Sequence, residues 1–323
     1  MTEYLSNQPA TPMKYLFGPV NSRRLGLSLG IDLLPAKTCN FNCIYCEVGP
    51  TTKFTGQRRE YIPTTEILAE FDTFISEQRN RPDFDVVTIT AAGEPTLHTG
   101  IGKIIRHIKI LTKKPVAVLT NGSLFHVKAV RQALLAADIV IPSLDAALPK
   151  SFRKINRPTK STDLGKIIAG LRQFRNEFSG KIWLEILLVK DINDSPEDIA
   201  ALNKAVIEIQ PDRIQLNTVA RPPCESFAIP LSSAEITSVA GQFSGPVEII
   251  ADFSRCQSTS HPQAIGMAEI VNLLKRRPST ISDLCAALAI DHNVIKNNLT
   301  ELEKQRLVSR TIHNDKEYYQ TES

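Results

Sequence analysis

The sequence lacks any long apolar run. No stretch of its 323 residues approaches the roughly 18 uninterrupted apolar residues that a membrane-spanning helix requires. Residues 1–15 also lack the basic and then apolar pattern of a secretory signal. We therefore expect a cytoplasmic protein that does not contact a membrane.

The sequence also has little excess charge of either sign. Its net charge is +4 at pH 7, and neither the first 261 residues nor the rest is basic enough to indicate nucleic-acid binding by charge alone. Hydrophobic residues make up 42% and charged residues 22% of the chain. This composition excludes a disordered or fibrous chain and indicates a globular protein with a sizeable core.

Cysteine is scarce, and its distribution excludes a disulfide framework. Three of the six cysteines, Cys39, Cys43 and Cys46, fall within eight positions, which is typical of a ligand cluster. Reduced thiols suit the cytoplasm. Cys224 and Cys256 have no nearby partners, so we expect core or loop cysteines there and no second cluster.

From residue 28 to about residue 250, short apolar runs alternate with amphipathic helical patterns. This alternation is typical of parallel strands joined by crossover helices, and strands buried on both faces read as apolar runs. Six parallel β/α units predict an α/β fold, a partial (β/α)6 TIM-like barrel whose site lies where the strands end. The predicted strands span residues 29–34, 85–90, 116–120, 139–144, 182–189 and 213–219.

The pattern changes after residue 254, and we place a domain boundary between 258 and 262. Residues 1–258 are then the barrel domain and residues 262–323 a small C-terminal domain. A helix through Ile270 and Leu274 precedes helices at 282–289 and 292–305, and extended runs at 307–313 and 317–320 flank Asn314-Asp315. Three helices and a hairpin predict a winged helix-turn-helix.

The strongest motif is Cys39-Asn-Phe-Asn-Cys43-Ile-Tyr-Cys46, which directly follows the first predicted strand. Thiolates are soft ligands that suit iron–sulfur clusters, and a cubane normally takes four of them. Three thiolates leave one iron open to bind a small molecule. A zinc site or a chance grouping of three cysteines in a loop is the alternative, but structural zinc prefers four ligands and the first domain offers no further CxxC or HxxxH pair.

This triplet, with Tyr45 just before its last cysteine, resembles the defining motif of the radical S-adenosylmethionine (radical SAM) enzymes. The resemblance implies that Cys39, Cys43 and Cys46 hold a [4Fe-4S] cluster whose open iron chelates S-adenosyl-L-methionine. It further implies that an electron from the cluster cleaves the sulfonium to give a 5′-deoxyadenosyl radical. Reduced flavodoxin or ferredoxin is the implied electron donor.

A second element follows the second predicted strand. Residues 91–96 read Ala-Ala-Gly-Glu-Pro-Thr and resemble the family's Gly-Gly-Glu-Pro element, with Ala92 in place of the first glycine. By that resemblance Gly93, Glu94 and Pro95 receive the methionine amino group of S-adenosylmethionine. Glycine permits close backbone approach, and proline fixes the turn. An ordinary βα turn is the alternative.

Polar residues also follow the third and fourth predicted strands. Asn121 follows the third strand, and Ser143 and Asp145 follow the fourth. The resemblance implies contacts with the ribose or the methionine carboxylate, because polar residues at strand ends of barrels tend to face the site. Each of them could instead cap the next helix.

Two further segments, residues 22–32 and 152–158, resemble a subgroup of Fe-S oxidoreductases related to the tRNA wyosine synthases. Arginines in the second segment could bind an anionic substrate, since guanidinium binds oxyanions bidentately, although a solvated basic loop is an equal alternative. Wyosine synthases carry additional N-terminal cysteines, whereas this chain has none before Cys39.

The predicted third helix of the C-terminal domain has balanced charge, with Lys296 and Lys304 against Glu301 and Glu303. Such a balance disfavours tight binding to phosphates, so we expect a docking, substrate-presenting or regulatory role and not DNA recognition. Cys285 lies among apolar residues and is predicted to be a core residue.

The sequence thus predicts a radical SAM enzyme that abstracts hydrogen from an unidentified substrate, with a modified tRNA base as the first class to test. RNA or protein is the expected partner class. One alternative is an iron–sulfur redox sensor that regulates transcription through the winged helix. A degenerate barrel that serves as a binding scaffold is another, against which the intact cysteine triplet counts.

Overall fold

An eight-stranded sheet forms the centre of the structure, a computed structural model that describes residues 13–322 except for 23, 78–82, 252–266 and 289. Its strands are β1 (Leu16–Ser22), β2 (Gly26–Asp32), β5 (Val86–Thr90), β6 (Val116–Thr120), β7 (Ile139–Pro142), β8 (Lys181–Leu188), β9 (Arg213–Thr218) and β10 (Val247–Ile249). They lie in the order β1-β2-β5-β6-β7-β8-β9-β10. Two short strands, β3 (Thr38–Cys39) and β4 (Lys53–Phe54), pair outside the sheet.

All neighbouring strands of this sheet are parallel except β1 and β2, which form an antiparallel hairpin. The α/β prediction is confirmed, and the six predicted strands correspond to β2 and β5 to β9. Three boundaries were wrong by two or three residues: β2 begins at Gly26 and ends at Asp32, and β7 already ends at Pro142. The hairpin partner β1 and the edge strand β10 are additions.

Helices cover the outer face of the sheet. They are α1 (Thr64–Ser76), α2 (Ile101–Leu111), α3 (Lys128–Leu134), α4 (Pro149–Ile155), α5 (Leu164–Glu177), α6 (Pro196–Ile209) and α7 (Ser233–Ala240). Each longer helix buries an apolar stripe, such as Ile67, Phe71 and Phe74 of α1. On α5, the fully buried Phe174 packs between Phe125 and Phe178, with ring centroids at 4.8 and 4.7 Å.

Arg24 shows that the sheet is curled. Its guanidinium, in the turn between β1 and β2, donates to Glu185 on β8 at 2.8 Å and to Gln215 on β9 at 3.1 Å. In a flat sheet, the four strand spacings from β2 to β8 would separate these groups by about 19 Å, which no side chain spans. The sheet therefore bends toward itself as a partial barrel, and Arg24 reaches across its interior.

The inner face of the sheet is more polar than the sequence indicates. Along β8, buried residues alternate with the partly exposed Trp183, Glu185 and Leu187, so the prediction that this strand is buried on both faces was wrong. Glu185 accepts from Asn217 at 3.0 Å as well as from Arg24. A polar inner face is suited to binding a ligand, while the apolar face packs on the helices.

The C-terminal elements follow the predicted order: α8 (Met267–Leu274), α9 (Ile281–Leu288), α10 (His292–Lys304), β11 (Val308–His313) and β12 (Lys316–Thr321). Asn314 and Asp315 join the two strands with φ of 48° and 58°, as a two-residue hairpin turn requires. Cys285 is partly buried against the core of these helices. The assignment as a winged helix, like the division into two domains, stays a prediction.

These C-terminal elements pack against the barrel. Val20 of β1 belongs to the same apolar cluster as Ile270 and Leu284. The Arg276 guanidinium lies over the Phe17 ring at 4.2 Å, and the Tyr318 hydroxyl donates to the Ala220 carbonyl at 2.8 Å. Some predictions fall outside the described residues. These are the domain boundary at 258–262, Cys256, Arg23, and Ala289 at the end of a predicted helix. Within the described residues, no helix has the length and apolarity to span a membrane.

Phe174→Ala should destabilise the protein by about 3–5 kcal/mol, because it removes a buried ring and leaves a cavity between two others. Urea unfolding followed by circular dichroism measures the change. Ile110→Ala is the control: Ile110 is 80% exposed, so its loss should change the unfolding free energy by no more than about 0.5 kcal/mol. Equal effects of the two substitutions would contradict the assigned core.

Candidate functional site

The predicted site residues meet at one edge of the sheet. The cysteine loop follows β2, Gly93 follows β5, Asn121 follows β6 and Ser143 follows β7. The carboxyl ends of parallel strands lie at the same edge, so the loops that follow them are neighbours. The structure therefore brings together side chains that are far apart in the sequence.

Backbone hydrogen bonds hold the cysteine loop on two sides. On one side, the N–H of Thr55 donates to the Cys39 carbonyl at 2.9 Å. On the other, the N–H groups of Asn42 and Ile44 donate to the carbonyls of Asn156 and Ile155, both at 3.0 Å. The loop has little regular structure, yet these bonds fix its path.

Each cysteine sulfur receives a hydrogen bond from outside the CxxxCxxC motif. Lys37 donates from Nζ to Cys46 at 2.9 Å, Asn156 donates to Cys43 at 3.5 Å, and the Asn121 amide lies 3.7 Å from the Cys39 sulfur. Hydrogen bonds to sulfur stabilise thiolates and tune the clusters that they hold. The surroundings of the three sulfurs thus suit thiolate ligands.

Burial acts in the opposite direction on two of these thiols. It raises the pKa of Cys39 to about 12 and, with the nearby Asp145 carboxylate, raises the pKa of Cys43 well above its ordinary value. In the absence of metal these two sulfurs are therefore protonated at neutral pH. Metal binding must displace their protons, since the thiolate is the ligand.

The donor set fits a cubane better than a single ion. Within the described residues, no group of three or more His, Cys, Asp or Glu side chains is arranged around one metal position. In a cubane each thiolate binds a different iron atom, so the three sulfurs need a wider spacing than the ligands of one ion. Cys39, Cys43 and Cys46 lie on one loop and together offer the three thiolates of such a cluster.

Gly93 lies against the strand that carries Cys39. A Cβ atom at Gly93 would stand 1.8 Å from the Thr38 carbonyl oxygen, far inside any contact distance. The N–H of Glu94 donates to the same oxygen at 3.1 Å. Only glycine allows this approach, which fixes the cysteine strand against the loop after β5.

Glu94 lies in the interior, where its carboxylate is an acceptor for two loops. It accepts from the Thr96 N–H at 2.9 Å, from the Thr120 hydroxyl at 2.6 Å and from the Asn121 N–H at 2.6 Å. Burial raises the pKa of Glu94, and these donors oppose the rise. The side chain predicted to bind the cofactor thus ties the loop after β5 to the loop after β6, and Pro95 begins a short 3-10 helix there.

Asp145 is a second buried carboxylate, beneath the cysteine loop. One oxygen accepts from the Tyr45 hydroxyl and the Asn156 amide, both at 2.6 Å, and the other accepts from the Leu187 N–H at 3.0 Å. Burial raises the pKa of Asp145 to about 6. Burial together with this carboxylate also raises the pKa of Tyr45.

Three of the predicted cofactor-binding residues, Asn121, Ser143 and Asp145, line one cleft. Phe41 of the cysteine loop and Asn156 line the same cleft. Glu94 and Pro95 are buried in the loop after β5, and Gly93 of the same loop forms a bridge to Thr38. Leu144, Phe152 and Ile167 complete the lining of the cleft, which has room for about one water molecule.

Sequence reasoning missed Lys37, Asn40 and Asn156. Lys37 is buried and bonds to Cys46, while the Asn40 amide donates to the Ser123 hydroxyl at 2.8 Å. The only sequence signal was proximity, since Lys37 and Asn40 flank Cys39. Asn156 lies 110 positions after Cys46, and no sequence pattern connects the two.

The radical SAM superfamily model matches residues 33–202, which include the cysteine triplet, Gly93-Glu94-Pro95, Asn121, Ser143 and Asp145. The chain belongs to the radical SAM superfamily. Members of this superfamily are enzymes that use a [4Fe-4S] cluster and S-adenosylmethionine and generally need a reductant such as flavodoxin or ferredoxin. The match does not favour the alternative of a transcriptional regulator.

Named relatives extend beyond the matched region. A UPF0026 protein from Helicobacter pylori strain J99 is 35% identical over 92% of this chain and 94% of its own length. A Brachyspira hyodysenteriae protein named GTPase Obg is 37% identical over 94% of this chain, but the chain spans only 44% of that protein. This sequence contains no Gly-Lys-Ser or Gly-Lys-Thr, the residues that end a P-loop motif. The match therefore does not indicate a P-loop GTPase site in this chain.

A solved structure supports the fold. A radical SAM methyltransferase from Sphaerobacter thermophilus superimposes with a TM-score of 0.53 at 15% identity, over 69% of this chain and 66% of that one. At this identity the likeness concerns the fold alone. The predicted relation to wyosine synthases stays a prediction.

Gly93→Ala should destabilise the protein by at least about 2 kcal/mol and lower the iron content after anaerobic reconstitution, because the added methyl displaces the Cys39 strand. Thermal unfolding and iron analysis measure the two effects. Gly56→Ala is the matched control, since a Cβ at Gly56 meets no atom closer than 3.9 Å. Full iron loading of Gly93→Ala would disprove the positioning role.

The raised pKa of Asp145 predicts a pH dependence of stability. Between the ordinary carboxyl value near 3.9 and about 6, the folded protein holds a proton on Asp145 that the unfolded chain has lost. Folding stability should therefore fall as pH rises through this range, by up to about 1.4 kcal/mol per pH unit from this group. In Asp145→Asn this contribution to the slope should vanish, as urea titrations of metal-free protein at pH 4 to 7 would show. An unchanged slope would contradict the raised pKa.

Proposed function

We propose that Cys39, Cys43 and Cys46 hold the [4Fe-4S] cluster of this radical SAM enzyme. The observation that carries the proposal is the hydrogen bonding of the three sulfurs, each of which meets a donor from a different segment: Lys37, Asn121 or Asn156. Three neutral thiols in a loop that binds no metal would not require a hydrogen-bond donor at each sulfur, whereas three thiolate ligands are stabilised by such donors. The alternative of structural zinc lacks a fourth ligand on this loop.

S-adenosylmethionine is proposed to bind at the carboxyl ends of the parallel strands, beside this loop. Backbone at Gly93 and Glu94 lies at the strand end where a methionine amino group would be received, and Pro95 fixes the turn. Asn121 and Ser143 offer polar groups for the ribose or the methionine carboxylate. The Glu94 side chain acts indirectly by holding the Asn121 backbone at 2.6 Å.

When bound and reduced, the cluster supplies the electron that cleaves S-adenosylmethionine into methionine and a 5′-deoxyadenosyl radical. The 2.6 Å hydrogen bond from Tyr45 to the buried Asp145 carboxylate is proposed to hold the cysteine loop in place beside the cofactor. The substrate that loses hydrogen is proposed to bind on the polar inner face of the sheet, near Glu185 and Asn217. A modified RNA base is the first substrate class to test, by family resemblance.

Three further assignments are proposals as well. Reduced flavodoxin or ferredoxin is the expected donor, and the cytoplasm is the expected location. The C-terminal elements are proposed to be a winged helix-turn-helix domain that docks substrate or a protein and does not read DNA. Their packing on β1 supports this role, because Arg276 and Tyr318 are already engaged with the barrel.

Reduced, anaerobically reconstituted protein should release 5′-deoxyadenosine or methionine from S-adenosylmethionine, and Cys43→Ala should not exceed the background of the protein-free reaction. Chromatography of the products and counts of iron and sulfide per chain measure both. Cys285→Ala, a thiol of the C-terminal core, should retain wild-type release. Equal release by wild type and Cys43→Ala, or zinc in protein purified without air, would defeat the proposal.

Lys37→Met should lower the midpoint potential of the cluster, because it removes the positive charge that lies next to the Cys46 sulfur. The substitution keeps the side chain at about the same length. Lys37→Arg retains the charge and should stay close to wild type. Redox titration followed by electron paramagnetic resonance gives the potential without relying on turnover. Identical potentials in all three proteins would show that Lys37 has no influence on the cluster.

A further inference from the structure

Two basic segments lie beside the cysteine loop of the candidate site. Residues 149–162, which include α4 and the loop after it, carry five lysines and arginines and no acidic residue. Residues 53–61 carry three cationic residues and one acidic residue. We call these two segments the basic rim; its cationic residues are Lys53, Arg58, Arg59, Lys150, Arg153, Lys154, Arg157 and Lys160.

Both segments of the rim are bonded directly to the cysteine loop. The Thr159 N–H donates to the Asn40 carbonyl at 2.9 Å, and Thr55 makes the matching bond to Cys39 on the other side at the same distance. Gly56 lies beside Thr159 and Ser161, so the two segments meet. The rim is therefore a continuous surface next to the cysteines.

Much of its charge faces solvent. Lys150, Arg153 and Lys160 are exposed, and their side chains make no hydrogen bond or ion pair with any residue that the structure describes. The neighbouring acids are engaged: Glu225 pairs with Arg157, and Asp163 caps α5 by accepting from Lys166 at 2.8 Å. A whole-chain charge of +4 thus conceals a strong local excess of positive charge.

Aromatic rings lie among these cations. Phe54 is 50% exposed and Phe227 is 47% exposed, and the Arg157 guanidinium is 5.9 Å from the Phe227 ring. Tyr61 has Lys53 and Arg59 at 5.0 and 4.5 Å from its ring centroid. Exposed rings next to cations are a platform on which unpaired bases stack while phosphates bind the charges.

We propose that the basic rim binds single-stranded RNA and presents one nucleotide to the site, an inference that rests on the proposed function. Positive charge alone would suit any polyanion, including an acidic protein or duplex DNA. The exposed rings favour an unpaired strand, because bases inside a duplex cannot stack on Phe54 or Phe227. A base that undergoes chemistry must also leave its stack to reach the site.

Two triple variants test the rim. Lys150→Glu, Arg153→Glu and Lys160→Glu together alter it, whereas Lys113→Glu, Arg172→Glu and Lys204→Glu together make the same charge change on exposed residues of the helical side. Anaerobically reconstituted holoprotein is titrated into a fluorescein-labelled single-stranded RNA of about 16 nucleotides, and fluorescence anisotropy gives Kd at several salt concentrations.

The rim variant should bind the RNA at least about tenfold more weakly than wild type, and its salt slope should fall by about 2, as loss of three phosphate contacts requires. The control variant should bind within about twofold of wild type. Phe54→Ala should weaken binding about tenfold with an unchanged salt slope, since stacking releases no counterions. Glutamine versions of both triple variants repeat the comparison without adding acidic groups.

Several outcomes would overturn the proposal. Equal losses in the two triple variants would show a general charge effect. Duplex DNA or polyglutamate of equal length that binds as tightly as the RNA would identify another partner. Release of 5′-deoxyadenosine by wild type, assayed without RNA, tests the proposed chemistry separately from RNA binding. Release without RNA binding refutes the role of the rim alone. RNA binding without release refutes the proposed chemistry alone.

Discussion

The contact between Gly93 and the Thr38 carbonyl is the constraint on which the site depends. Strand β3 has only two residues and could not hold a position by its own hydrogen bonds. It is held because the loop after β5 comes so close that a Cβ would lie 1.8 Å from the Thr38 oxygen. Cys39 is the next residue, so the position of the first thiol follows from that contact, and the α4 loop then fixes the rest of the triplet.

Two buried carboxylates hold the neighbouring loops in fixed positions by accepting hydrogen bonds from more than one of them. A carboxylate accepts several hydrogen bonds at once, so a single side chain can join donors from different elements. Glu94 joins the loops after β5 and β6, and Asp145 joins Tyr45 of the cysteine loop to Asn156 and β8. Burial raises the pKa of both groups, which is the energetic cost of placing an acid in the interior. The donors around them offset that cost and make the arrangement specific.

Much of the fold could be predicted because parallel strands leave a strong pattern. The runs at β5, β6 and β9 are apolar and short, and their loops must meet at one edge, so the sequence alone places Asn121 and Asp145 near the cysteines. Strand β8 misled the prediction, since its inward residues include Trp183 and Leu187, which are apolar in sequence but line a partly open face. The roles of Lys37 and Asn156 depend on loop packing between distant segments, which no local pattern records.

Charge gives the clearest case of what composition hides. Averaged over the chain, the excess of cations is too small to indicate any polyanion. The fold nevertheless brings residues 53–61 beside residues 149–162, because both segments must bond to the same cysteine loop to fix it. The segments that position the thiols thereby also concentrate positive charge beside the cysteine loop.

Helix α10 of the C-terminal elements has no such excess of positive charge, since Lys296 and Lys304 are balanced by Glu301 and Glu303. If this protein binds a polyanion, electrostatics places it beside the cysteine loop and not on the C-terminal helices.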